Sequence, residues 1–146
     1  MSKGNSFETS LLDHILNNAN IANVGDATGL RGSSTAGSLY IALHTADPGE
    51  AGDQSTSETT YGSYARVAVT RAGGAWTVAS GSASNASAIN FAAGSSGSQT
   101  VTHFSVGTAS SGAGVLLYSG ALLASRPVGT GITPSFGAGT LTITED

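Results

Sequence analysis

The chain has 146 residues, enough for one domain with one core and little more. Charged residues make up only 10%, against roughly a quarter in an ordinary soluble domain, and the net charge is −4 with no basic cluster, which argues against a phosphate-tracking groove. Cysteine is absent, which excludes disulfide staples, Cys-based zinc sites and thiol chemistry.

The first predicted element is a helix. Phe7, Leu11, Leu12, Ile15 and Leu16 recur on one helical face, and Asn5 with Glu8 three residues on resembles a capping arrangement. Asn17, Asn18 and Asn20 weaken it, and Gly25 ends what remains. A helix this short is unstable alone, so its apolar face must dock on its own domain or on a neighbour. Residues Asp26 to Ser38 read as a loop.

Strands follow. In Leu39 to His44, Leu39, Ile41 and Leu43 alternate with Tyr40, Ala42 and His44. Asp47-Pro48-Gly49 and Gly52-Asp53 carry turn chemistry, predicting a long exposed loop to Tyr61. Ala65 to Arg71 alternates with Val67 and Val69 inward, and Gly73-Gly74 is a turn before a strand with Trp76 and Val78. A Gly/Ser/Ala/Asn stretch then runs to Ser87. Ile89 and Phe91 mark a short strand, Gly94 to Ser98 a turn, and Val101 to Val106 a strand. The runs Val115 to Tyr118 and Ala121 to Leu123 are two strands or one bulged strand; Pro127 and Pro134 flank a loop, and Leu141 with Ile143 forms the last strand.

About eight short strands with frequent turns predict an antiparallel β-sandwich or small barrel behind the helix. The expected organisation is a single domain: a helical segment over residues 1–25 and a β domain over residues 26–146. No window of about 18 apolar residues exists to span a membrane. Met1 to Thr9 lacks the layout of a secretory signal, so synthesis in a cytoplasm without export by that route is expected.

Charge distribution carries the first functional inference. Between Arg71 and Glu145 the only ionic residue is Arg126. A half-chain this neutral reads as surface that meets other protein. Chemistry is hard to find. There is no G-x-S-x-G elbow, and Lys3 is the only lysine, so no phosphate loop exists. Asp47, Glu50 and Asp53 could be weighed as calcium ligands, and His44 with His103 as zinc ligands. The first set lacks the EF-hand pattern, and the second lacks a third ligand. Trp76, Tyr40, Tyr61, Tyr64 and Tyr118 could stack a sugar, but core and loop-capping roles explain them better. No catalytic, cofactor-binding or metal-ligating residue is assigned, and the protein is expected not to be an enzyme. Arg66 and Arg71 lie on opposite faces of one predicted strand, so one points outward. An outward arginine beside an acidic loop suits an intersubunit ion pair. The expected partner contacts are therefore Phe7, Leu11 and Leu12 on the helix, with Asp47, Asp53 and Arg66.

One segment runs Ser38-Leu39-Tyr40-Ile41-Ala42-Leu43-His44-Thr45-Ala46-Asp47-Pro48-Gly49 and continues to Tyr64-Ala65-Arg66-Val67. Later stretches are Val101 to Thr108, Gly112, and Leu116-Leu117-Tyr118-Ser119-Gly120, with an opening Lys3-Gly4-Asn5-Ser6-Phe7-Glu8. Together they resemble a family of small bacteriophage virion structural proteins, variously labelled tail fibre or capsid decoration protein. The resemblance implies a virion location more firmly than a place on the particle, and supplies no catalytic residues; the neutral C-terminal half and the separate amphipathic helix favour the capsid exterior over the tail. It leaves two readings. A decoration or cement protein would bind the outer head and clamp capsid subunit junctions, its partners being the major capsid protein and itself as a homo-oligomer such as a trimer. A tail fibre or tail-tip component would bind the host surface. Neither reading calls for nucleic acid, membrane, cofactor or small-molecule substrate. A secreted carbohydrate-binding module is a third reading, without the export signal it needs.

Overall fold

The computed structural model describes residues 2–145. In chain order it contains α1 (Asn5–Asn17), β1 (Ser38–His44), β2 (Val67–Thr70), β3 (Trp76–Ala79), β4 (Ser82–Asn85), β5 (Ile89–Asn90), β6 (Ser98–Gly107), β7 (Leu116–Gly129), β8 (Ser135–Phe136) and β9 (Thr142–Thr144). The mainly β, antiparallel expectation with a short N-terminal helix holds. The barrel alternative does not: among the described residues the strands form open sheets of four, three and two strands.

The chain forms two compact units. One comprises the residues up to Ser38, Thr70–Ile89 and those from Phe136 onward; the other comprises Leu39–Val69 and Asn90–Ser135.

The first unit packs α1 on a sheet of order β3-β4-β9. Its helix starts at Gly4, which has an extended backbone and no side-chain cap, so Asn5 is the first helical residue rather than the expected cap. The Gly4 carbonyl takes the amides of Phe7 and Glu8. The helix stops where the asparagines begin, with Asn18 left-handed at φ 60°. Arg71 donates to the carbonyls of Ile15 (2.6 Å) and His14 (2.9 Å), placing a cation on orphan acceptors at the helix C-terminus. The buried stripe is Glu8, Leu12 and Leu16, four residues apart. Asn17 clamps the helix end to β3 through both the amide and the carbonyl of Trp76. Leu12, Leu16, Trp76, Ala83, Leu141 and Ile143 make the core. Fully burying each leucine contributes about 1.5–3 kcal/mol.

The second unit is a four-stranded sheet of order β2-β1-β6-β7. β1 pairs antiparallel with β6 from Tyr40↔Gly107 to His44↔His103. Its expected alternation fails in the second half: Ile41, Ala42, Leu43 and His44 are all buried, because this central strand is covered on both faces. The two apolar runs after Val115 form one outer strand, β7, with two irregularities. Leu117 is extra opposite Val106 and Gly107. Farther on, Val101 faces Arg126 while His103 faces Ala121, so four residues of β7, 122–125, stand against Thr102 alone on β6, a bulge of three extra residues. Leu123 lies on that bulge and is fully exposed.

Candidate functional site: a braced loop

The loop between β6 and β7, Thr108 to Val115, is built from Thr, Ser, Ala, Gly and Val alone. It closes on itself through the Thr108 amide to the Val115 carbonyl (3.1 Å) and the Val115 amide to Thr108 Oγ1 (3.0 Å). Gly112 (φ 72°) and Gly114 (φ 59°) turn it through left-handed backbone that other residues rarely adopt.

Two polar side chains support this loop from below. Gln54 is fully buried. Its Oε1 accepts the Ala109 amide (2.9 Å), its Nε2 donates to the Tyr40 carbonyl (3.2 Å), and its own backbone amide donates to the Ala113 carbonyl (2.8 Å). A Cβ on Gly107 or Gly114 would lie 2.1 or 2.6 Å from the Gln54 side chain, so both glycines make room for it. Arg66 is also buried. Its Nη1 donates to the Ala109 carbonyl (2.9 Å) and its Nη2 to the Gly112 carbonyl (2.7 Å). The other edge of the guanidinium forks onto Glu58, with Nε to Oε1 at 2.7 Å and Nη2 to Oε2 at 2.8 Å. Tyr64 donates to the same Glu58 Oε1 (2.9 Å) and accepts the Leu43 amide (3.0 Å). A relay therefore runs from β1 through Tyr64, Glu58 and Arg66 to the loop. Hydrogen bonding to Glu58 raises the Arg66 pKa, and burial pushes the Tyr64 phenol well above its usual range.

Beside this relay sits His44, fully buried. Its Nδ1 lies 2.8 Å from the Thr56 carbonyl, which can only accept, so Nδ1 carries the proton. Nε2 then accepts from the Ser105 hydroxyl at 2.7 Å. The pair resembles a nucleophile and its base, but Ser105 is also fully buried, so no substrate reaches it. With both ring nitrogens engaged, His44 has no lone pair for a metal. Its register neighbour His103 bonds Thr102 Oγ1 (2.9 Å). Desolvation lowers the His44 pKa from its ordinary value.

The expected contact residues fall in different places. Phe7 is 41% exposed and Leu11 half-buried, both on the outer side of α1, whereas Leu12 is fully buried against its own unit. Asp47 is exposed and its Oδ1 accepts the Gly49 amide (2.9 Å). Asp53 Oδ1 accepts from the Ser55 hydroxyl and amide, which holds its carboxyl below the usual range. Arg66 bonds neither aspartate; its carboxylate partner within the chain is Glu58. Of the aromatic residues, Trp76 and Tyr61 are buried, and Tyr64 stacks on Phe91 with centroids 6.2 Å apart. Tyr118 is half-exposed on the outer strand.

Sequence reading missed Gln54, Glu58 and Tyr64 as parts of one device. The available signal was the scarcity of charge: an acid eight residues before an arginine, in a chain this neutral, invites pairing.

No helix among the described residues is long and apolar enough to cross a membrane. Compared with known protein families, residues 2–144 match the model described as podophage GP4 fiber I protein gp80. A search of curated proteins finds no match.

Proposed function

The chain belongs to the podophage GP4 fiber I protein gp80 family, a small phage virion structural family, and from that premise we propose that it is a fibre-associated component of the particle that acts by protein contact and not by catalysis. The observation that carries this reading is the match over nearly the whole chain to a family described as a fibre protein. The geometry is consistent with it. The buried Ser–His pair is sealed, and the buried ion pair serves a loop. The sequence carries no internal repeat of the kind that builds a shaft, so the reading is an adaptor or tip component that assembles with itself and with other fibre or tail proteins. The outward helix residues Phe7 and Leu11, and the exposed Asp47, are candidate contacts in that assembly.

A second reading is capsid decoration, with the major capsid protein as partner and the protein itself as a homo-oligomer. It is favoured by the almost charge-free stretch after Arg71, which suits repeated lateral packing on a shell. Copy number separates the two. Quantitative mass spectrometry of purified particles, with gold-labelled antibody in electron micrographs, should give at most a few dozen copies and label on the tail. Hundreds of copies with label over the head would replace the fibre reading with the decoration reading.

A further inference from the structure

We propose that the Thr108–Val115 loop is the surface by which this chain docks on an uncharged face of another virion protein, with Gln54, Glu58 and Arg66 as positioning residues that hold the loop in its docking shape. This rests on the reading of the chain as a virion component.

The first support is the bracing itself. A connection between two paired strands needs only a few residues and can be left to solvent. Here the connection is longer, and its backbone at Ala109, Gly112 and Ala113 is bonded from beneath by Gln54 and Arg66. Burying a guanidinium, its carboxylate and an amide carries a desolvation cost that a mere connector does not require. A loop fixed in advance gives up less conformational freedom when a partner arrives, which is the advantage such bracing confers.

The second support is chemical and identifies the occupant. The side chains the loop presents at Ser110, Ser111 and Ala113 are small and uncharged, and Val115 is 59% exposed at its end. A charged partner would lose its hydration there and meet no counter-charge. Peptide groups, hydroxyls and small apolar side chains lose little, so a neutral protein face fits. A saccharide fits worse, because the loop offers neither an aromatic ring to stack on a sugar nor a carboxylate to hold its hydroxyls.

The test uses phage lacking this gene product, complemented with the full chain. Three versions are compared: wild type, the double variant Ser110→Glu/Ser111→Glu, and the control Ser34→Glu/Thr35→Glu on an exposed loop of the other unit. Incorporation into purified particles is measured relative to folded soluble protein. The loop variant should melt within about 2 °C of wild type, since both serines are exposed, yet incorporate at least tenfold less; the control should incorporate normally. Gln54→Ala tests positioning: particle incorporation per folded molecule should fall severalfold at a temperature where it is fully folded, which a purely structural role would not produce. Wild-type incorporation of the loop variant would overturn the proposal. So would equal losses for both double variants, or normal incorporation with lost adsorption to host cells, which would mean that the loop faces the host. Label found on the head would change the fibre reading and leave this result intact.

Discussion

At the scale of single residues, Glu58 and Arg66 illustrate how a charge-poor chain uses the few ions it has. The pair is largely buried and bidentate, and both partners find further hydrogen bonds. Removing one partner strands the other, a change that typically costs about 3–5 kcal/mol. Glu58→Gln should therefore lower unfolding free energy by roughly 3 kcal/mol in urea titration, with the m-value unchanged. His44 sets a pH limit. Its folded form is neutral and its pKa is lowered, so below its ordinary value of 6.5 the unfolded chain takes up a proton that the folded chain refuses. Stability must then fall as pH drops from about 7 towards 5 and level off once below the folded pKa. Denaturation curves at pH 7.5 and 5.5 should show this difference, and His44→Gln should lose it. Scarcity made Arg66 legible in the sequence and pointed to a carboxylate partner, but it could not choose Glu58 over the neighbouring acids Asp47, Glu50 and Asp53, because the fold makes that choice. Gln54 had no signal at all: a buried glutamine is defined by the cavity around it.

At the scale of elements, the sequence pattern served best where apolar residues alternate. β1, β3 and β6 lie where Ile41, Trp76 and Phe104 predict them. β4 was hidden because Ser82–Asn85 has no large apolar residue. Its inward positions are Ala83 and Asn85, and the Asn85 amide bonds the Ser87 and Gly137 carbonyls while its Oδ1 takes the Leu141 amide. Polar packing of this kind leaves no hydrophobic period to read. The helix was legible, but its buried stripe is narrower than the apolar pattern, leaving Phe7 and Leu11 outward. Arg71 binds the end of that helix from the strand side. Arg71→Ala should cost about 1–2 kcal/mol and should speed amide hydrogen exchange selectively in the last turn of α1.

At the scale of the whole molecule, the balance of forces is unusually free of ions. The ion pairs found among the described residues are Lys3–Glu145 and Arg66–Glu58, and only the second is well shielded from solvent. Neutral docking through the β6–β7 loop implies attachment that does not weaken as salt screens charge. Purified particles washed from about 0.05 to 1 M sodium chloride should retain the protein, whereas an attachment built on ion pairs would release it progressively across that range.

The irregular outer strand has its own consequence. A sheet margin with hydroxyl-rich, uncharged strands would ordinarily invite other polypeptides to add on and grow into filaments. β7 interrupts that template twice, at Leu117 and at the three-residue bulge, and places Arg126 and Pro127 directly after it. Crowded together during particle assembly, these molecules are poorly shaped for open-ended strand addition along β7, so self-association is left to other surfaces.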